Sequence, residues 1–299
     1  MKEGNDGGLV RHSVDKLSFV ADPKDSGAID QLEKYLQEKI MATRQLTKSH
    51  DPYRYMYILP MKLGTVSIAD KNAKLGKRLR LEFNPNRATS DDVRQMYINI
   101  IATMKYPQLT RVDLAFDYAE NLSDIRWVDK KGRPSSLYRN GKYVLETYYA
   151  GGSRSKMRLV MYDKKAERAS KQGIDPEELG EKDWWRIELR FKENEIDRLF
   201  SEEGYNPFDE LTPYIPTALG LKSMKWKDRC VVMALMNEEG ESIFGEMDAK
   251  SRAKYKKMLL EYTMPTPVDV REDFEQQKND LLAQVVSWFK YAGVGVFQG

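Results

Sequence analysis

The stretch MRLVMYDKKAER, Met157–Arg168, joins two different local patterns. Apolar and β-prone residues up to Tyr162 predict a strand, and the charged, helix-prone residues after it predict a helix. A tyrosine at such a junction, beside lysines, is suited to cleave a phosphodiester through a phosphotyrosine link when acidic strands lie nearby. Tyrosine is also common in strands as a packing residue, so the stretch by itself favours a purely structural role.

Similar short patterns on both sides of this stretch predict an α+β fold. We expect a largely antiparallel, strongly curved sheet with flanking helices. The order strand, helix, three strands occurs in the first hundred residues and loosely again from Asp91, which is consistent with an internal duplication. Helices predominate after about Asn194, so we predict an α/β domain over residues 1–200 and a helical region over residues 201–299. Strands are predicted at 17–21, 53–60, 64–69, 78–83, 111–118, 143–149, 157–162 and 185–191, and helices at 28–40, 90–104, 194–200, 231–237, 250–262 and 273–291.

The composition is typical of a soluble globular protein. The 299 residues are 41% hydrophobic, enough for a sizeable core. No apolar run reaches the ~18 residues that a membrane span requires, and residues 1–10 lack the apolar core of a secretory signal, so we expect a cytoplasmic protein. The single cysteine, Cys230, excludes an intramolecular disulfide and a cysteine-based zinc site, and its apolar surroundings predict that it is buried. His12 and His50 lie far apart, which argues against a histidine-rich metal site.

Positive charge is concentrated in three clusters, although the net charge is only +3. The clusters are KNAKLGKRLR at residues 71–80, the group Lys130, Lys131 and Arg133, and KSRAKYKK at residues 250–257. Each cluster alone is an ordinary solvated surface, but together they favour binding to a nucleic-acid backbone over binding to a membrane.

Several strands alternate apolar and charged residues with a period of two. In LRLEF, RVDLAFDY and WRIELRF the apolar residues share one face, and the charged residues share the other. Tyr162 shares its face with Arg158, Val160 and, if the strand continues, Lys164. If these strands are neighbours, one cleft is lined by Tyr162 and four acids: Glu82, Asp113, Asp117 and Glu188.

Clustered carboxylates repel one another unless cations lie between them. A divalent ion is one solution, and all-oxygen ligands would suit Mg²⁺ or Mn²⁺ rather than zinc. The alternative is that the acids pair with Arg80, Arg186 and Arg190 on a solvated face of the sheet. The alternation by itself favours neither the metal site nor the arginine pairs over the other.

A set of six motifs in this order resembles the pT181-like Rep family, the replication initiators of small staphylococcal-type rolling-circle plasmids. The resemblance covers most of the chain beyond about residue 53. It also implies that the sheet is a degenerate relative of the rolling-circle Rep and relaxase nickase fold. The motifs are RLEFNPN at 80–86, TRVDLAFDY at 110–118, YDKKAER at 162–168, WRIELR at 185–190, LMNEEG at 235–240 and AKYKK at 253–257.

The resemblance implies a DNA nickase and strand transferase that acts at a double-strand origin. Tyr162 matches the tyrosine that attacks DNA and forms a 5′-phosphotyrosyl link, leaving a free 3′-hydroxyl. Lys164 or Arg186 would stabilise the transition state or lower the pKa of the attacking hydroxyl. A divalent ion, Mg²⁺ or Mn²⁺, would be held by Asp113 and Glu188 first, then Glu82, and last Asp117.

The resemblance also implies partners and a DNA-binding surface. We expect plasmid origin DNA, recognised as a duplex and nicked as a single strand, together with a homodimer and a host replicative or PcrA-type helicase, and no membrane partner. Origin recognition would lie in the C-terminal region. The predicted DNA contacts are Arg158, Lys250, Arg252, Lys254, Tyr255, Lys256 and Lys257.

Two departures and three alternatives accompany this hypothesis. Some members have arginine two residues before the tyrosine, where this chain has Val160, and the metal-binding His-hydrophobe-His motif of the wider nickase class is absent. The chain would then need carboxylates as metal ligands. The alternatives are a relaxase of a conjugative or integrative element, a non-catalytic origin-binding protein, and a metal nuclease that uses water in place of tyrosine.

Overall fold

The computed structural model describes residues 9–47, 53–69, 77–141, 144–180, 182–217, 221–236 and 240–290. The strands are β1 Leu9–Pro23, β2 Thr43–Leu46, β3 Tyr53–Ile58, β4 Gly64–Ala69, β5 Leu79–Phe83, β6 Met104–Tyr118, β7 Arg126–Asp129, β8 Ser135–Arg139, β9 Leu145–Ala150, β10 Met157–Asp163, β11 Trp185–Lys192, β12 Leu211–Pro216 and β13 Thr263–Met264. The helices are α1 Ala28–Lys34, α2 Ser90–Asn99, α3 Lys164–Gln172, α4 Asn194–Ser201, α5 Trp226–Met236, α6 Gly240–Glu246, α7 Ala249–Glu261 and α8 Val270–Lys290.

The strands form one large and one small sheet, which confirms the predicted α+β class. Ten strands are hydrogen-bonded in the order β2-β3-β4-β5-β1-β6-β11-β10-β9-β8, and three more in the order β13-β12-β7. The pairs β2/β3, β3/β4, β4/β5, β1/β5, β8/β9 and β9/β10 are antiparallel. Within the described ranges, every helix is either too short or too polar to span a membrane.

The large sheet contains two similar sets of strands, although the predicted order of strand, helix and three strands does not recur from Asp91. β1 and β6 are each 15 residues long and are neighbours in the order. β1 is followed in the chain by β2 to β5, and β5 returns to pair with it. β6 is followed by β8 to β11, and β11 returns beside it. The helices break the repeat, because α1 follows the long strand of the first set whereas α3 precedes the last strand of the second.

Two compact units make up the chain. The first unit comprises residues 1–11, 116–187 and 204–276, and the second comprises residues 12–115, 188–203 and 277–299. One boundary falls after residue 203, and the others run through β1, β6, β11 and α8, so each unit is built from several segments of the chain. The predicted division into a catalytic domain (residues 1–200) and a recognition region (residues 201–299) was defined by function and not by compactness, and it stays a prediction.

Aromatic side chains organise the core of the first unit. The ring centroids of Phe116 and Phe208 each lie 6.1 Å from that of Phe274 on α8, and Trp127 stacks on Phe208 at 5.9 Å. A second cluster packs α5 and α7 against the small sheet. Its buried members are Val128, Tyr214, Leu221, Met224, Val232, Leu235 and Leu259.

The core of the second unit rests on the alternation of β1 and β5. Leu79, Leu81 and Phe83 are all buried, as their period of two predicted. The ring of Phe83 packs edge-on against Trp288 of α8 at 4.8 Å and lies 5.9 Å from Phe19.

Several local predictions were wrong. Strands β2, β7, β8 and β12 and helix α6 were not predicted, since elements of four to seven residues carry little periodic signal. β1 begins at Leu9 rather than Leu17, and α5 begins at Trp226 rather than Val231. The helix predicted at 28–40 is regular only to Lys34 and continues as a π-helical turn. Cys230, predicted to be buried, is exposed.

Candidate active site

The junction between β10 and α3 places Tyr162 and Lys164 side by side in the first unit. The backbone N–H groups of Lys164 and Lys165 both donate to the carbonyl oxygen of Trp184, at 2.8 and 3.1 Å. Asp163 caps α3 by accepting a hydrogen bond from the N–H of Ala166 at 2.8 Å. The strand-to-helix transition predicted at this point is therefore confirmed, and hydrogen bonds on both sides hold it.

Lys164 contacts the hydroxyl of Tyr162 directly. Its Nζ donates to the Tyr162 oxygen at 3.2 Å and lies 5.3 Å from the ring centroid. The same ammonium forms a 2.9 Å ion pair with Glu167 one turn along α3. An ammonium in this position stabilises a phenolate more than a phenol. Tyr162 is also partly accessible, so the pair has the arrangement that an activated nucleophile needs.

A cation and two further tyrosines share the sheet face of Tyr162. In the register of β8, β9 and β10, Tyr162 lies opposite Thr147 and Thr147 opposite Tyr138, while Tyr149 lies two residues further along β9. Tyr138 and Tyr149 meet edge to face at 5.7 Å, and Arg158 lies 4.1 Å above the Tyr149 ring. We call Tyr138, Tyr149, Arg158 and Tyr162 the tyrosine face. Tyr138 and Tyr149 were not predicted, although the sequence ETYYA carries the signal for the latter.

Asp117 and Arg186 form a buried ion pair in the first unit. Arg186 donates from Nε and Nη2 to the two carboxylate oxygens of Asp117 at 2.5 and 2.8 Å. Both side chains are almost fully buried. The predictions gave Arg186 a catalytic role and Asp117 a metal-binding role, but here each side chain neutralises the other. The catalytic role of Arg186 and the metal-binding role of Asp117 stay predictions.

In the second unit, Arg111 gathers the other predicted acids. Its Nε and Nη2 donate to Asp113 at 2.7 and 2.5 Å, and its Nη1 lies 4.0 Å from Glu82. Arg190 reaches Asp113 at 3.4 Å from the side of β11. Burial alone would lower the pKa of Arg111, but its hydrogen bonds to Asp113 and the charges of Asp113, Glu82 and Glu188 raise it overall. Arg111 was not predicted, although its spacing from Asp113 in TRVD is a local signal.

The carboxylates as placed do not form a ready metal site. In the part of the chain that the structure describes, no group of three or more acid, histidine or cysteine side chains is arranged to hold an ion. Asp113 is engaged by two arginines and Asp117 by one, so an ion would have to displace guanidinium groups from these acids. Binding of Mg²⁺ or Mn²⁺ by Asp113, Glu188, Glu82 and Asp117 stays a prediction.

Helix α7 divides the predicted DNA contacts into two groups. Lys250 and Lys257 are exposed, and Lys254 forms an ion pair with Asp228 at 2.5 Å. Tyr255 donates its hydroxyl hydrogen to Asp228 at 3.0 Å, and its contact with bases stays a prediction. The remaining two are turned toward the small sheet: Arg252 donates to the Met247 carbonyl at 2.8 Å, and Lys256 donates to the backbone carbonyl of Asp129.

Some members of the other two basic clusters also form ion pairs. Residues 70–76 lie outside the described residues, and Lys77 pairs with Asp22 at 2.9 Å. In the second cluster, Lys131 pairs with Glu210 at 2.8 Å and Arg133 with Asp129 at 2.6 Å.

Sequence relatives agree with the motifs. No family model matches the chain. Two proteins of Staphylococcus aureus, both named replication initiation protein, are each 32% identical to it over 218 residues, which is 71% of this chain and 64 to 65% of theirs. This chain is a homologue of these two proteins. It thus spans less than two thirds of the length of the relatives it matches. A solved rolling circle replication initiator protein from Geobacillus stearothermophilus covers 73% of this chain and 91% of its own, at 12% identity and a TM-score of 0.43.

The buried ion pair generates a stability prediction. Arg186→Met should lower the free energy of unfolding by about 3–5 kcal/mol, because the Asp117 carboxylate is left buried without its partner. The double variant with Asp117→Leu should recover much of the loss. Urea denaturation measures both.

Arg190→Met is the matched control, since Asp113 keeps Arg111 when Arg190 is removed. We expect it to cost about 1 kcal/mol or less. A loss for Arg186→Met no larger than that of the control would contradict the structural role.

Proposed function

We propose that this chain initiates rolling-circle replication of a plasmid by nicking and rejoining one DNA strand through Tyr162. The single observation that carries the proposal is the 3.2 Å contact between the Lys164 ammonium and the Tyr162 hydroxyl at the junction of β10 and α3. Homology to replication initiation proteins supports the biological role. The motif resemblance supports the chemistry, because Tyr162 is the residue that matches the attacking tyrosine.

The proposed reaction is a reversible exchange of one phosphodiester for another. The Tyr162 hydroxyl loses its proton and its oxygen attacks the phosphorus, while the bond from phosphorus to the 3′-oxygen breaks. The proton ends on the leaving 3′-hydroxyl, and the 5′-phosphate stays on the tyrosine. Lys164 stabilises the phenolate before attack. In the reverse direction a 3′-hydroxyl attacks the phosphotyrosine and restores the strand.

The tyrosine face provides a surface for the strand that is cut. Aromatic rings bind unpaired bases by stacking, without sequence preference. Tyr138 is 59% exposed, and Arg158 lies over the neighbouring Tyr149 ring, so the face combines stacking area with a cation for phosphate. We propose that Arg158 takes the place of the arginine that some relatives have at the position of Val160.

Further partners follow from the resemblance. We propose that Lys250 and Lys257, on the exposed side of α7, contact the backbone of duplex origin DNA. A homodimer would supply a second Tyr162 for the rejoining step, and a host helicase of the replicative or PcrA type would unwind the nicked duplex. The resemblance also implies Mg²⁺ or Mn²⁺. Because the described acids are paired with arginines, we assign no step of the reaction to the ion.

Tyr162→Phe should abolish the covalent protein–DNA adduct. The variant lacks only the attacking oxygen, so DNA binding should persist. The assay incubates the full chain with a 5′-labelled or 3′-labelled single strand spanning the origin of the plasmid that encodes it, and detects the adduct on a denaturing gel. The proposal requires that the adduct retain only the 3′ label.

Tyr138→Phe is the matched control, because it removes a hydroxyl from the same face of the sheet. It should leave the adduct yield unchanged within about twofold, since a phenyl ring still stacks on bases. Cleavage by Tyr162→Phe at the normal rate would show that water or another residue is the nucleophile.

Lys164→Met should slow adduct formation by about 100-fold, the size expected when one donor to a developing anion is removed. Lys164 favours the phenolate, so its loss should also move the rise of rate with pH to higher pH. Single-turnover rates across pH measure both effects.

Lys171→Met is the comparison, because Lys171 pairs with the same Glu167 from the exposed side of α3. It should change neither the rate nor the pH profile. An unshifted profile in Lys164→Met would remove Lys164 from the chemistry.

Chelation tests the predicted metal. With excess EDTA, adduct formation by the unmodified chain should fall to background and return when Mn²⁺ or Mg²⁺ is added in excess. Adduct formation that persists in EDTA would contradict the metal requirement. Lysine and arginine side chains, Lys164 among them, would then supply the positive charge for the phosphate.

A further inference from the structure

A cavity of about 520 Å³ lies within the first unit, between the sheet and the C-terminal helices. Its walls come from β7, β8 and β9 on one side and from α5, α6 and α7 on the other. This volume is in the range of sites that bind small organic ligands. No residue of the tyrosine face lines it.

The walls combine rings with positive charge. Trp127, Tyr148, Tyr214 and Phe244 supply four aromatic side chains. Five cationic side chains also line the cavity: Arg126, Arg133, Arg139, Arg252 and Lys256. This composition suits a ligand that has both a planar ring and an anionic group.

Among the described lining residues, the single acid is already neutralised. Asp129 accepts from Nε and Nη2 of Arg133 at 2.6 and 3.2 Å and from the backbone N–H of Lys131 at 2.8 Å. The described part of the lining therefore has more cations than acids. Burial lowers the pKa of Lys256, and the nearby charge of Arg252 lowers it further, against the opposing charge of Asp129.

Two buried donors among the lining residues are unsatisfied. Arg252 Nε and Trp127 Nε1 have no hydrogen-bond partner among the residues that the structure describes. An unsatisfied buried donor costs about 1–3 kcal/mol, so a ligand that brings acceptor oxygens or ring nitrogens would be favoured here. Nucleotides carry such acceptors on both the base and the phosphate.

We propose that this cavity binds one unpaired nucleotide of a DNA strand, with the base among the aromatic rings and its phosphate at Arg252 and Lys256. The inference rests on the proposed function for its choice of DNA as the ligand. Exposed Lys250 and Lys257 on the same helix, and Lys130 beside β7, continue the positive charge outward. Neighbouring phosphates of a strand would contact these lysines, whereas a free nucleotide has no neighbouring phosphates to do so.

The cavity and the attacking tyrosine occupy opposite faces of the same strands. Tyr148 of the cavity lies opposite Met161 and Leu137, whereas Tyr162 lies opposite Thr147. Successive residues of a strand point to opposite faces, so the nucleotide in the cavity is not the one that is cut. The cavity is a binding site for a second position of the strand.

The test uses the full chain carrying Tyr162→Phe, so that no adduct forms, and a fluorescent single-stranded oligonucleotide at fixed salt. Adding Phe244→Ala or Arg252→Gln should weaken binding by about 5- to 50-fold, the range for loss of one stacked base or one charged contact. Lys222→Gln, an exposed cation away from the cavity, should change affinity by less than twofold. Equal affinity in all four proteins overturns the proposal.

An abasic oligonucleotide and a photocrosslink give independent readouts. With every base removed, Phe244→Ala should bind as the parent does, because no ring remains to stack. A strand that contains 5-iodouracil should crosslink to Trp127, Tyr148, Tyr214 or Phe244 of the Tyr162→Phe protein. This crosslink does not depend on the folding of any cavity variant. Crosslinks that avoid all four residues overturn the proposal.

Other outcomes separate the ligand sources and the two proposals. In one outcome, a free mononucleotide displaces the base-containing oligonucleotide completely at concentrations that leave the abasic strand bound. That result would show that the cavity binds a free nucleotide rather than a nucleotide of a strand, and it would overturn the proposal. Base-dependent binding together with failure of the Tyr162 adduct assay would leave the cavity proposal standing and remove nicking. Normal adduct formation together with unchanged DNA affinity in the cavity variants would support nicking and overturn the cavity proposal.

Discussion

The shared carbonyl of Trp184 is the constraint on which the candidate site depends. Two successive backbone N–H groups, those of Lys164 and Lys165, donate to it at the point where the chain leaves β10 and enters α3. Asp163 satisfies a further N–H of the first turn. The direction of Lys164 is then fixed relative to the strand, and its ammonium meets the Tyr162 hydroxyl. Backbone hydrogen bonds thus position the contact between the two side chains, so it does not rely on long side-chain rotamers alone.

Ion pairs with arginine limit what the acidic residues of the sheet can bind. A carboxylate removed from water needs a cation or several donors, and an arginine supplies both in one planar group. Asp117 with Arg186 and Asp113 with Arg111 show this solution. Such pairs hold positive and negative charge in fixed geometry, and their cations stay charged at any working pH. A phosphate that enters such a region meets preorganised guanidinium groups, and any metal must compete with them.

Much of this arrangement could be predicted from the sequence, because it depends on local periodicity. The alternation in LRLEF and WRIELRF identified the buried residues correctly, and the change of pattern after Tyr162 located the junction. The pairing of charges could not be predicted. Asp117 and Asp113 lie on the face opposite the apolar residues, as expected, yet both are buried because arginines from the same and neighbouring strands cover them. Which strands are neighbours is a property of the whole sheet, and a period of two contains no information about it.

The same limit explains why the cavity was missed and why it matters. Arg252 and Lys256 were grouped by sequence with the other lysines of α7, but helix rotation turns them toward the small sheet while Lys250 and Lys257 stay exposed. That rotation is set by Leu259, which is buried against the small sheet with Val128 and Tyr214. One helix thereby carries charge both to the surface and into an aromatic pocket. Because the sheet separates this pocket from Tyr162, contacts that hold a strand can change without disturbing the residues that would cut it.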